Sequence, residues 1–300
     1  MTKTWGIFYN KNSGSGEATK KAELCQKRLA ERDSKVVLIT GDSLDESQRH
    51  LANSLPDLDS LIVIGGDGTL NAAFSVIVKN NHPLPVGIIP AGTVNNFAKR
   101  YHIPQDTENA IANIIVPARL RMVGLGKCGM DKAVVSSLTF GNLATLSNEV
   151  RQRDKQKFGL GVYLVKAIQQ IGKNKSYLIK YQIGDHQVET LRTWFTLITT
   201  SRLVGGFAYD TGAKEKMHVS VLHNIHLQQV GEYIYFAVTG KLRRAKNITT
   251  YTTQKLTVTP QDGKKVVSRI DGDEGPELPL TITFLPEYLP LMVPQQSNKR

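Results

Sequence analysis

The sequence predicts an α/β domain with a parallel sheet, followed by a mainly antiparallel β domain. Three observations carry this prediction. Over roughly the first 120 residues, short apolar runs alternate with segments of helical period, the pattern of a parallel sheet with crossover helices. Each polar or glycine-bearing loop in this part leaves a strand at its carboxyl end, where such sheets bind ligands. After Arg119 the apolar period changes from that of a helix to that of a half-buried strand.

In chain order, Trp5 to Tyr9 form a first strand, which ends in the polar loop Asn10-Lys11-Asn12-Ser13-Gly14-Ser15-Gly16. A helix follows, with Ala18, Ala22, Cys25 and Leu29 on one face. The strand Val36-Val37-Leu38-Ile39 ends at Thr40, and a helix over residues 43–55 presents Leu44, Leu51 and Leu55. The next strand, Leu61-Ile62-Val63-Ile64, runs into Gly65-Gly66-Asp67-Gly68-Thr69-Leu70-Asn71. Leu70, Ala73, Phe74, Ile77 and Val78 then repeat at helical spacing. A strand over residues 86–89 leads into Pro90-Ala91-Gly92-Thr93-Val94-Asn95-Asn96-Phe97-Ala98, which opens another helix, and a further helix covers residues 107–116.

Beyond Arg119, the residues Leu120, Met122, Ala133 and Val135, and later Tyr177, Ile179, Tyr181 and Ile183, alternate with polar ones. Gly184-Asp185 and Asp262-Gly263 are expected as hairpin turns. One helix is expected over residues 160–171, whereas residues 227–238 fit a helix or a strand equally well. The chain closes on a proline-rich stretch, residues 285–294, and a polar tail.

The glycine cluster around Asp67 leaves two readings open. Glycines let backbone N–H groups approach a phosphate, the helix start adds favourable partial charge, and a carboxylate there suits a magnesium ion or a proton-donating hydroxyl. The other reading is a tight strand–helix turn with Asp67 as helix N-cap.

Composition narrows the function classes. There are 38 Lys and Arg against 26 Asp and Glu, a net charge of +12, which favours an anionic partner. RNA-binding signatures are absent and aromatics are few, so nucleic acid is not expected. No long apolar run spans a membrane and no signal peptide precedes the first strand. Cys25 and Cys128 lack metal-site spacing and suit a reducing cytoplasm. Basic clusters stand at Arg151, Arg153, Lys155 and Lys157 and at Lys241, Arg243, Arg244 and Lys246; near an anionic surface each charge contributes about 1 kcal/mol. His218, His223 and His226 are too loosely spaced for a metal role to be assigned.

Several of these stretches together resemble the diacylglycerol kinase catalytic-domain family, which is related to sphingosine kinases and NAD kinases. Gly65-Gly66-Asp67-Gly68-Thr69 is similar to the signature these kinases share, with a close variant in phosphofructokinases. Asn10-Lys11-Asn12-Ser13-Gly14 resembles the family's Asn-Pro-x-Ser-Gly loop, and Pro90 to Ala98 its second phosphate loop. Ile270-Asp271-Gly272-Asp273 resembles its Asp-Gly-Glu motif, and Gly141 to Val150 a segment of the bacterial soluble members. The resemblance implies an NAD-kinase/phosphofructokinase-like α/β domain and a C-terminal β-sandwich. It divides the chain into residues 1–122 and 123–285, with 286–300 returning to the first domain.

The activity implied is that of an ATP- and magnesium-dependent kinase for a lipid hydroxyl, with diacylglycerol converted to phosphatidic acid. ATP would lie among Asn10, Ser13, Thr40, Gly65, Gly66, Asp67, Gly68, Thr69, Asn71, Gly92, Thr93 and Asn95. Asp273 is implied as general base, with Asp67 the alternative and also a candidate ligand of the nucleotide's magnesium. The partners implied are a lipid alcohol and an anionic membrane surface, reached from the cytoplasm, and a homodimer stays open.

Five positions depart from the family pattern, one of them Asn96, where the family normally has aspartate. Lys11 replaces proline, Asp273 replaces glutamate, and Ala72 stands where an acidic residue often follows. Met217 occupies the place of an aspartate that binds a structural magnesium, and a thioether is a poor ligand for that cation. The departures at Asp273, Ala72 and Met217 support an alternative, a weakly catalytic nucleotide- or lipid-binding regulator. NAD kinase is disfavoured by the Asn95-to-Ala98 and Asp271-to-Asp273 stretches.

Overall fold

The computed structural model describes residues 2–11, 17–116, 119–142, 176–200, 203–204, 207–208, 216–224 and 247–295. The chain forms two compact units, one of Met1–Val135 with Pro286–Arg300 and one of Ser136–Leu285.

The first unit is an α/β layer structure. Its strands β1 (Thr4–Tyr9), β2 (Lys35–Ile39), β3 (Ser60–Gly65) and β4 (Val86–Pro90) lie in the order β2-β1-β3-β4, all parallel. Strand β3 is buried along its whole length, as the centre of a sheet covered on both faces requires. Helices α1 (Glu17–Ala30), α2 (Leu44–Ser54), α3 (Asp67–Lys79), α4 (Asn96–Arg100) and α5 (Thr107–Ile115) follow the strands. The apolar face of α1 packs with α5 residues Ala110, Ile111 and Ile114 on Trp5, Ile7, Ile62, Ile64 and Ile89. Phe74 and Ile77 of α3 are fully buried, each burial contributing roughly 1.5–3 kcal/mol.

Strands β5 (Arg119–Cys128) and β6 (Lys132–Val134) form an antiparallel pair in this unit. At the start of β5 the expected half-buried face does not form: Leu120 and Met122 are exposed along with Arg119 and Arg121. Leu44 is also exposed, so α2 seats on Leu51 and on Leu55 just past its end.

Among its described residues the second unit contains two larger antiparallel sheets and a two-stranded antiparallel ribbon. The strands are β7 (Ser137–Gly141), β8 (Tyr177–Ile183), β9 (Gln187–Thr193), β10 (Phe195–Thr199), the ribbon strands β11 (Leu203–Val204) and β12 (Phe207–Ala208), β13 (Met217–Leu222), β14 (Ile248–Thr253), β15 (Lys255–Pro260), β16 (Val267–Ile270), β17 (Asp273–Glu277) and β18 (Leu280–Val293). One sheet runs β14-β13-β10-β7-β16-β17; the other places β8 between β15 and β9, with the first residues of β18 beside β15. Tyr181 joins the two sheets, its buried hydroxyl 2.8 Å from Thr193 Oγ1 and 2.7 Å from Thr196 Oγ1. Burial pushes its hydroxyl pKa up, so the phenol stays protonated.

The hairpin over Gly184 joins β8 and β9 as expected. Asp262-Gly263 is not a hairpin, because β15 and β16 on either side belong to different sheets. The proline-rich C-terminus is part of a strand. Residues 285–293 continue β18, which accommodates Pro286 next to a positive-φ residue, Glu287, and brings Leu291 beside Val86 in parallel register. The expected helix over residues 160–171, the stretch 227–238 and both basic clusters lie outside the described residues.

Candidate active site

The parallel register sets the carboxyl ends of β1 to β4 level with one another. Phe8 faces Ile39, Tyr9 faces Ile64 and Gly65 faces Pro90. Asn10, Thr40, the Gly65–Thr69 turn and the Gly92–Asn95 loop are the next residues along those strands. Ser13 lies outside the described residues.

Steric fit explains three of the four loop glycines. A Cβ on Gly65 would come within 2.4 Å of the Thr69 side chain, and one on Gly92 within 2.5 Å of the Gly66 Cα. The two loops therefore touch backbone to backbone, and the Ala91 N–H donates to the Gly65 carbonyl at 3.0 Å. Gly68 differs, since a Cβ there would meet nothing within 4 Å. Among the described residues no side chain caps α3, whose N-cap is Gly66, and Gly68 in its first turn is exposed.

Asp67 is not the N-cap of the helix that it begins, which is Gly66. It is the first residue of α3, and its carboxylate caps a different helix. Oδ2 accepts the Asn96 N–H and Oδ1 the Phe97 N–H, both at 3.0 Å, at the start of α4. A carboxylate on N-terminal N–H groups is a charge-assisted arrangement. Asn95 shapes the same loop in the left-handed conformation, accepting from the Gly92 N–H and donating to the Gly92 carbonyl, both at 3.0 Å. Asn71 turns to the body of the unit, where its Nδ2 donates to the Ala133 carbonyl at 3.0 Å. Thr93 is exposed at the loop tip.

Two further features suit an anionic ligand. The Thr40 hydroxyl is buried at the end of β2 and has no hydrogen-bond partner among the described residues, while its carbonyl accepts from His50 Nδ1 at 2.7 Å. Lys21 of α1 reaches across to the end of β4, and its ammonium donates to the Pro90 carbonyl at 3.1 Å. Nothing local in the sequence marks Lys21, because its partner is 69 residues away. Lys11, in the family's proline position, instead pairs with Asp42 in an exposed ion pair. That pairing holds the Asp42 carboxyl below its ordinary value and raises the lysine.

In the second unit, Asp271 (φ 53°) and Gly272 (φ 100°) are the two central residues of the β16–β17 hairpin. Both lie at positive φ, which the favoured two-residue hairpin demands and Asp-Gly supplies. Asp271 Oδ1 accepts from the Ser136 N–H (2.7 Å), the Ser136 hydroxyl (2.8 Å) and the Ser137 N–H (2.9 Å). Asp271 is thus a structural anchor, and it presents the next carboxylate, Asp273, exposed at the start of β17.

The residues fit a nucleoside triphosphate: an uncapped helix start, an open glycine, a buried hydroxyl without a partner and a nearby ammonium. Its magnesium needs only one or two protein carboxylates beside the phosphates, a role open to the remaining lone pairs of Asp67. A structural magnesium at Met217 does not fit, since a thioether is a poor ligand for a hard cation; the side chain is fully buried. Among the described residues no cluster of acidic, histidine and cysteine side chains is arranged to hold a metal.

The family model for the diacylglycerol kinase catalytic domain matches residues 4–128, which include every loop of this site in the first unit. Residues 4–128 are similar to the diacylglycerol kinase catalytic-domain family. A diacylglycerol kinase of Staphylococcus aureus (strain MRSA252) is 26% identical over 98% of this chain and 93% of its own. One from Staphylococcus epidermidis (strain RP62A) is 23% identical over 85% of this chain and 79% of its own. Among solved structures, a putative diacylglycerol kinase from Bacillus anthracis str. Sterne superposes with a TM-score of 0.78, covering 97% of this chain and 95% of that one at 17% identity. The last likeness is one of fold. Within the matched segment, Asp67 ties the Gly65–Thr69 turn to the loop after β4.

Proposed function

We propose that this chain is an ATP-dependent lipid kinase that phosphorylates the hydroxyl of diacylglycerol to give phosphatidic acid. One observation carries the reading: two strand-end loops of a diacylglycerol kinase catalytic domain are clamped by Asp67 and leave the first turn of α3 open. Phosphoryl transfer is chiefly positioning and charge neutralisation, which such a preorganised loop pair supplies. Magnesium carried by the nucleotide supplies further charge neutralisation at the phosphate oxygens. The acceptor oxygen forms a bond to the γ-phosphorus as the bond to ADP breaks, and a carboxylate takes the hydroxyl proton.

Asp273 is the better candidate for that base. Its carboxylate is exposed on a hairpin held rigid through Asp271, whereas both Asp67 oxygens already accept backbone N–H groups. Asp273→Asn is expected to lower turnover by about 10²–10⁴-fold with ATP affinity little changed. Asp273→Glu, which restores the family's usual side chain, is expected to be active.

The deciding assay incubates the protein with labelled ATP and magnesium against diacylglycerol, sphingosine, other lipid alcohols and NAD. Labelled phosphatidic acid is the expected product. Transfer to another acceptor would change the substrate. ATP binding without transfer to any acceptor would favour the second reading, a regulatory binding protein, which the short Asp273 side chain and the buried Met217 support. The membrane partner proposed is an anionic lipid surface on the cytoplasmic side.

A further inference from the structure

We propose that Lys21 supplies the fixed positive charge of the nucleotide phosphate site. This rests on the reading of the first unit as an ATP site and adds a residue outside its glycine loops. Lys21 sits on the second turn of α1, and its neighbours Ala18, Ala22 and Cys25 are buried against the sheet. Glu17 lies four residues earlier, the favourable order for a surface ion pair on a helix. Among the described residues that ion pair is not made. The half-buried side chain runs instead to the carboxyl edge of the sheet and donates to the carbonyl of Pro90, the last residue of β4.

That position has three consequences. Pro90 faces Gly65 in register, so the ammonium is fixed where β3 and β4 deliver their loops. A carbonyl is a neutral partner, so the charge is oriented without being cancelled. Lys11, at the end of the neighbouring β1, is by contrast already neutralised by Asp42. One of the three ammonium donors is used on Pro90, and two remain for an anion. A lysine held this way acts on phosphate oxygens as a preplaced point charge, the part that a phosphate-loop lysine plays from within its own loop in other nucleotide sites.

The test separates charge from scaffolding. Lys21→Gln keeps a donor for the Pro90 carbonyl but removes the charge; Lys21→Met removes both; Lys21→Arg keeps both. Dissociation constants for Mg-ATP and for inorganic tripolyphosphate are measured by calorimetry without lipid, together with thermal midpoints. Glutamine and methionine variants are both expected to bind each ligand about tenfold or more weakly, and arginine to restore most of the affinity. The KM for ATP is expected to rise while the KM for lipid stays unchanged. Wild-type affinity in Lys21→Gln overturns the proposal, as does a loss confined to Lys21→Met that follows a lowered thermal midpoint. If glutamine prevents folding, failure of Lys21→Arg to bind either ligand as the wild type does is the overturning result. A wild type that binds neither ligand sinks the ATP-site reading itself, whereas ligand binding that is indifferent to residue 21 sinks only the role of Lys21.

Discussion

Asp67 shows how one carboxylate can join two loops. Its two oxygens hold the first two N–H groups of α4, and through them the loop that Gly92 presses against Gly66. Asp67→Asn keeps the shape but replaces one acceptor with an NH2 group facing a backbone donor. Charge-assisted hydrogen bonds contribute about 1.5–3 kcal/mol each. The variant is therefore expected to melt at a lower temperature as well as to lose at least ~10² in turnover. Calorimetry alongside the activity assay checks this, and an unchanged midpoint would remove the clamp from the account.

His218 makes a second prediction at this scale. Burial on β13 lowers its pKa from the ordinary 6.5. The folded state then binds fewer protons than the unfolded state in the window just below 6.5. Stability from this group is complete above 6.5 and lost as pH falls through the folded value. His218→Gln is expected to flatten part of the fall in thermal midpoint between pH 7.5 and pH 5.5. An equal fall in both proteins would contradict it.

At the scale of elements, the glycines of the two loops are not equivalent. Gly92→Ala forces a Cβ to within 2.5 Å of the Gly66 backbone and must push the loops apart. Gly68→Ala meets open space inside a helix, where alanine is favoured over glycine by about 1 kcal/mol. Gly92→Ala is expected to lower both stability and ATP affinity. Gly68→Ala is expected to raise the thermal midpoint while weakening ATP binding, because its methyl covers the turn that phosphate approaches. Melting curves with and without Mg-ATP separate the two. An unweakened Gly68→Ala would mean that phosphate does not contact this turn.

For the whole molecule, the +12 charge bears on where the reaction takes place. An enzyme drawn to anionic lipid should co-sediment with vesicles containing anionic lipid, and less so as salt shortens the screening length below ~8 Å. Sedimentation indifferent to both lipid charge and salt would remove the electrostatic attraction but leave the kinase reading standing. No helix among the described residues is long and apolar enough to cross a membrane.

Local periodicity determined a large part of this protein. The helix faces of α1 and α3, the buried β3, the alternation along β8 and the glycine turn after β3 each rest on residues a few positions apart, so their spacing carries the signal. The hairpin at Asp271-Gly272 also has a local signal, since Asp-Gly supplies the positive φ of a two-residue turn. Only the tertiary structure decided which groups meet across long stretches of chain. Asp67 finds its donors 29 and 30 residues away, Lys21 its carbonyl 69 away and Asp271 its serines 134 and 135 away. It also turned the proline-rich end into β18 and left Leu120 and Met122 exposed. The reason is physical: a residue's preference for helix or strand is set by its neighbours in sequence, whereas a hydrogen bond or a covered surface depends on what packing brings beside it.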